Sequence, residues 1–219
     1  MSKNINELMV LRSSARAFAK ELIINKQDVM DLIEAARMAP TSYGLQNFKI
    51  IHLPQSEFRE SLNSLFYNQL NFITASDYFL FVADSGTKIL NETIEKSVGD
   101  IMGDVTSEKS LNFINNIKNS YEVRFGDNER LANEWSSKSA YIASGIVTVA
   151  AAEKDIDTCI MEGFDGKKLN ELFWEKNLIQ KDEFICLGMA LGKIFEETKN
   201  KNHAKKIRKK LVDFYKEVK

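Results

Sequence analysis

Arg12-Ser13-Ser14-Ala15-Arg16-Ala17-Phe18 follows the apolar run Leu8-Met9-Val10-Leu11 and holds two permanent positive charges and two hydroxyls in its first five residues. Arginine carries its charge at every relevant pH and offers a planar fork of N–H donors, and serine adds a short hydroxyl; this mixture suits a phosphate group. Lys205-Lys206-Ile207-Arg208, near the other end of the chain, supplies a second set of cations. If the two sets meet in the folded chain, they form an anion pocket built from both ends. Taken alone, the first stretch reads equally well as a solvated loop.

The chain has 219 residues, a 44% apolar fraction and a net charge of −1, which bound it to one soluble globular domain, residues 1–219, with no bulk charge directed at nucleic acid. The charge is uneven: residues 196–219 hold nine Lys or Arg against four acids, a net of +5, leaving −6 for the rest. Such a run is a solvated tail or an anion site. The two cysteines, Cys159 and Cys186, lie in apolar runs and read as buried thiols in a reducing compartment. His52 and His203 are too few and too far apart for spaced metal-ligand pairs, and neither accompanies a nucleophile elbow. The start of the chain lacks a basic-then-apolar leader, and the apolar run 141–152 is too short for a bilayer, so the expected location is the cytoplasm, with no membrane partner.

Periodicity sets the elements. Ile5, Leu8 and Met9 predict a short first helix. Val29, Leu32, Ile33 and Ala36 predict an amphipathic helix that Asn25 and Asp28 start and Pro40 ends. Further helices follow from Leu90-Ile94-Val98-Ile101, from Leu111-Ile114-Ile117-Tyr121 behind Ser107, and from Leu131 to about Lys154. The last is rich in small residues, so a neighbouring helix can approach it closely. Strands are expected at 48–53, 77–83, 158–161 and 184–191. Helices outweigh strands and separate them, which argues for one sheet covered by helices. Gly188 and Gly192, inside an apolar run, read as packing glycines. No Gly-x-Gly-x-x-Gly or Walker loop is present.

Four polar patterns remain: Arg12 to Arg16, the loop from Pro40-Thr41-Ser42-Tyr43-Gly44 to Phe48, the turn Met161-Glu162-Gly163-Phe164-Asp165 after a strand, and Lys206-Ile207-Arg208. In this order, and with Glu134-Trp135 opening the helix between the second and third, they resemble the FMN-dependent nitroreductase family. That family opens on Arg-(Arg/His)-Ser-x-(Arg/Lys)-x-Phe, continues with Ala-Pro-Ser-Ser-x-Asn-x-Gln-Pro-Trp, has Glu-Gly-Phe-Asp after a strand and closes on Lys-x-Arg. The likeness runs from about residue 8 to the C-terminus.

The resemblance implies an α+β three-layer sandwich, a central mostly antiparallel sheet flanked by helices, with the C-terminal arm exchanged in an intertwined homodimer and one FMN at each interface. It implies NADH or NADPH as electron donor and a small-molecule oxidant such as a nitroaromatic or a quinone. Arg12, Ser13, Ser14, Lys206 and Arg208 would surround the phosphate. Arg16, Asn68 and Asn71 would face the pyrimidine edge of the flavin. Met161, Glu162 and Gly163 would face its N5/O4 edge, and Pro40, Thr41, Ser42 and Gly44 would reach it from the partner subunit. Gly44 departs from the usual Asn, Asn47-Phe48 from Pro-Trp, and Asn71 from a second Lys, which leaves Arg16 as the cation of that edge. No residue is expected to do acid–base work, because the cofactor carries the chemistry. Tyr121 or Phe125 would form a lid; a core-facing stripe is the competing reading of Tyr121. Two other functions stay open: a dedicated reductase of one pteridine, flavin or enone substrate, and a non-enzymatic module holding nucleic acid on its basic tail.

Overall fold

A computed structural model of the chain describes residues 4–195 and 206–218. In chain order it contains α1 (Ile5–Leu11), α2 (Lys26–Arg37), β1 (Phe48–Pro54), α3 (Glu57–Ser61), α4 (Leu70–Ile73), β2 (Asp77–Asp84), α5 (Gly86–Lys88), α6 (Ile94–Met102), α7 (Glu108–Phe125), α8 (Glu129–Glu153), β3 (Asp157–Met161), α9 (Gly166–Glu175), β4 (Glu183–Gly192) and α10 (Leu211–Phe214). The four strands form one sheet in the order β1-β2-β4-β3, antiparallel throughout.

Strand side chains alternate between faces, and the central strand β2 is buried on both. Tyr78, Leu80 and Val82 enter one cluster with Phe66, Phe72, Leu169 and Phe173, contributed by α4, α9 and the turn before α4. Phe79 and Phe81 enter the opposite cluster, where α2 contributes Val29, Leu32 and Ala36 and α8 contributes Ala140, Ala143, Val147 and Ala151. The result is three layers. Each phenylalanine fully removed from water contributes about 2–3 kcal/mol before entropy is counted. Alanines on the inner face of α8 let α2 pack closely against it. A third cluster of Leu45, Ile89, Ile94, Val98, Ile114, Ile117, Tyr121 and Ala132 gathers α6, α7 and the first turn of α8 into a helical excursion beside the sheet.

Local chemistry explains the helix starts. The Asn25 carboxamide accepts from the Asp28 N–H at 2.8 Å, and the Ser107 hydroxyl accepts from the Ser110 N–H. Gly188 and Gly192 are packing positions: a β-carbon would lie 2.0 Å from the Tyr78 hydroxyl at the first and 2.6 Å from the Phe18 ring at the second. The three short helices between Pro54 and Asp77, namely α3, a 3-10 turn at Asn63–Phe66 and α4, have no amphipathic period. The buried Arg59 guanidinium ties them down by donating to the carbonyls of Leu53, Phe72, Ala75 and Ser76.

Two expectations take a different form. Tyr121 is 5% exposed, and its hydroxyl sits where a β-carbon on Gly86 would fall, so it belongs to the core stripe of α7 and not to a mobile lid. The C-terminal segment, expected to form an arm exchanged with a partner, carries within the chain a single helical turn at Leu211–Phe214, after which Tyr215 is extended. Its apolar side chains are bare, with Leu211 at 74%, Phe214 at 78% and Val218 at 85% exposure.

Candidate functional site

The opening stretch is clamped to the outer edge of β3. Ser14 forms a parallel bridge with Thr158, and the Ala15 N–H donates to the Thr158 carbonyl at 3.1 Å. Ala15 and Phe18 point into the core, which turns Arg12, Ser13, Ser14 and Arg16 toward the surface. The Arg12 guanidinium donates to the Ser14 hydroxyl at 3.1 Å, and its Nε is buried without a hydrogen-bond partner. Lys206 returns from the far end of the chain and donates to the Met9 carbonyl and, at 2.7 Å, to the Val10 carbonyl at the end of α1. Burial first, then the like charges of Arg12 and Arg208, hold the Lys206 pKa below its ordinary value. Burial likewise lowers Arg12; Arg208 adds to this, while Cys159 and Asp157 oppose it. The two cation sets therefore meet. Among the described residues, Arg12, Lys206 and Arg208 form no ion pair. Crowded positive charges with an orphaned buried N–H fit a multiply charged anion. Lys205 lies outside the described residues.

Beside this cluster, β3 and α4 present amide groups. Asn71 is 4% exposed, donates to the Cys159 sulfur at 3.5 Å and has a carboxamide oxygen buried without a partner. Asn68 is exposed and holds a left-handed conformation at φ 52°. Met161 is a core residue, after which Glu162 and Gly163 emerge exposed. The Gly163 carbonyl accepts from Gln69, which fixes the turn. Burial first, and then the neighbouring Glu162 carboxylate, push the Tyr141 pKa up. Arg16 is exposed. A planar ring system with both donors and acceptors along its edge fits these groups, and the orphaned Asn71 oxygen is an acceptor without a donor among the described residues.

The loop at residues 40–44 stands elsewhere. The Thr41 hydroxyl accepts from the Gln46 N–H at 3.0 Å, Tyr43 and Gly44 are left-handed at φ 55° and 72°, and Leu45 anchors the loop in the excursion cluster. Pro40 and Ser42 are exposed. Within one chain no described hydrogen bond joins this loop to the Arg12 cluster.

The nitroreductase family model matches residues 10–193. The chain belongs to the nitroreductase family. It is thereby an oxidoreductase of the class that works with FMN and NAD(P)H. A Staphylococcus haemolyticus protein that carries the name of an NAD(P)H nitroreductase is 28% identical over 207 residues, covering 92% of this chain and 93% of that one. A nitroreductase-like protein from Streptococcus mutans superposes with a TM-score of 0.78 at 18% identity, covering 98% of each chain. A protein of Exiguobacterium sibiricum, described as a nitroreductase and solved in complex with FMN, superposes with a TM-score of 0.76 at 17% identity, covering 100% of this chain and 99% of that one.

In this member of the family the structure brings together Arg12, Ser14, Lys206 and Arg208 as one group. Asn71, Met161, Glu162 and Gly163 gather along β3. The Pro40–Gly44 loop stays apart from both. Two supporting residues carry no sequence motif: Gln69, which holds Gly163, and Tyr141, whose hydroxyl feels the Glu162 charge. Neither has a local signal, since each contact joins segments tens of residues apart. No helix of the described residues is long and apolar enough to cross a membrane.

Proposed function

We propose that this protein is an FMN-dependent NAD(P)H oxidoreductase of the cytoplasm, a single-domain homodimer that reduces nitroaromatics, quinones or related acceptors by ping-pong turnover. The observation that carries the reading is the meeting of Arg12, Lys206 and Arg208 from opposite ends of the chain, with no ion pair to any of the three among the described residues. FMN, when bound, supplies the two-electron chemistry, so that NAD(P)H, a proton and a nitro compound yield NAD(P)+, a nitroso compound and water.

Arg12, Ser14, Lys206 and Arg208 hold the phosphate, and Ser13 supports the turn between them. A dianion in a half-buried cleft needs several charge-assisted donors, and this group offers them. Asn71 and Asn68 bond the pyrimidine edge. Arg16 places a positive charge there, which favours electron uptake. Glu162 and Gly163 offer backbone N–H groups to the opposite edge, with Gln69 keeping the turn in place. Pro40, Thr41, Ser42 and Gly44 complete the site of the other subunit, consistent with their separation from the Arg12 cluster within one chain. The apolar surface that a partner would cover includes Val10 and Leu11 of α1 and Ile142 of α8, at 70%, 50% and 48% exposure.

The visible spectrum of the purified protein, recorded anaerobically before and after NADH or NADPH, tests this. A flavin spectrum that bleaches with either donor is the expected result. Protein that neither carries flavin nor takes up FMN on titration refutes it.

A further inference from the structure

A cavity of about 370 Å³ lies at the end of α7, between that helix, the start of α8 and Tyr43. Its wall is unusual in composition. Tyr43, Tyr121, Phe125 and Trp135 supply aromatic surface, Ser120 a hydroxyl, and Arg124 the one charged side chain among the described lining residues. The rings are locked together: Phe125 lies 5.0 Å from Tyr121 and 5.3 Å from Trp135, and Tyr121 meets Trp135 edge-on at 6.3 Å. Packing on Gly86 and Ala132 fixes Tyr121, so the aromatic wall is rigid. The Arg124 guanidinium stands 5.9 Å from the Phe125 ring centre and forms no ion pair among the described residues. The acids on either side, Glu122 and Glu129, act on the Tyr121 hydroxyl, and neither lines the cavity.

The occupant that such a wall recognises is planar, for the aromatic faces, and anionic, for the guanidinium. Tyr43 joins the cavity to the cofactor loop. It is 47% exposed, strained at φ 55° and directly precedes Gly44. The geometry points to this cavity as the acceptor's seat, and to Arg124 as the residue that selects planar aromatic oxidants bearing a carboxylate or similar anion. The inference rests on the flavin-enzyme reading above.

The test compares 4-nitrobenzoate with 4-nitrobenzamide, which match in shape and differ in charge. Wild-type kcat/KM is expected to favour the benzoate by about tenfold, the scale of one charged hydrogen bond. Arg124→Gln is expected to bring the ratio to about one through KM for the benzoate, and Arg124→Lys to keep most of the preference. Calorimetric titration of 4-nitrobenzoate into oxidised protein, with no electron donor, reads binding without turnover and is expected to weaken by the same factor in Arg124→Gln. A benzoate-to-benzamide ratio that Arg124→Gln leaves unchanged, with flavin bound and bleached normally, overturns the assignment while leaving the oxidoreductase reading intact. Absence of flavin fails that reading instead, and the calorimetric arm still decides whether Arg124 binds the anion.

Discussion

Lys88 and the Arg12 cluster are both groups of cations removed from full solvent, and they are satisfied in opposite ways. Lys88 is 6% exposed and surrounded by acids, with Glu183 at 3.3 Å and Glu92 and Asp182 at 3.7 Å, while Lys49 meets Glu183 at 2.6 Å. Burial opposes its charge, but the carboxylates outweigh burial and raise its pKa. Among the described residues, Arg12, Lys206 and Arg208 hydrogen-bond to a hydroxyl and to backbone carbonyls, and burial and mutual repulsion lower Arg12 and Lys206. A cation that holds a fold together is answered within the fold. A cation kept for a ligand is left in deficit, and the deficit is filled on binding.

That contrast is open to attack from both sides. The largest effect is expected at Lys88→Ala, which takes from the buried Glu183 carboxylate one of its two cations and should cost about 3 kcal/mol of unfolding free energy in urea denaturation, with FMN affinity of the folded fraction little changed. A variant as stable as wild type would show that the network is ornamental. Next, Arg12→Ala is expected to weaken FMN binding by about thirty- to a hundredfold without lowering stability in the absence of FMN. Arg16→Ala should chiefly slow reduction by NAD(P)H. Equal losses of FMN affinity in the two variants would show that the division between phosphate and ring-edge cations is wrong. The smallest effect concerns acid. Burial disfavours the Glu183 carboxylate, but bonds from Lys49 and the Gln180 N–H, with the nearby charge of Lys88, hold its pKa below the ordinary value. Its contribution is therefore present above the unfolded-state pKa and lost as pH falls through the folded one. Glu183→Gln should flatten the decline in stability between about pH 5 and pH 3; an unchanged acid limb would place the loss at other carboxylates.

What the sequence reveals follows the same division. Strands 48–54, 77–84, 157–161 and 183–192, and the helices behind Asn25 and Ser107, are legible because their apolar periods and caps are local. The three short helices after Pro54 are not, because Arg59 holds them through carbonyls that only the fold assembles. Helix α9 had a readable signal, Asp165 as cap with Leu169, Leu172 and Phe173 on one face, which the Gly163 turn beside it obscured. Tyr121 offered both a lid and a stripe reading, and contact with Gly86 decides for the stripe. In the site, Arg12, Ser14, Lys206 and Arg208 are legible as a motif set, whereas the absence of an ion pair to them among the described residues is a property of the fold. Gln69, Tyr141 and Arg124 carry no motif and emerge only from contacts between distant segments.

The central claim is that the unanswered cations grip a phosphate. FMN and riboflavin share the ring system and differ in that group alone, so their dissociation constants, measured by fluorescence titration against flavin-free protein, isolate it. The expected result is FMN binding tighter than riboflavin by about a hundredfold or more, with the difference shrinking in Arg12→Ala. Equal affinity for the two flavins would contradict the account.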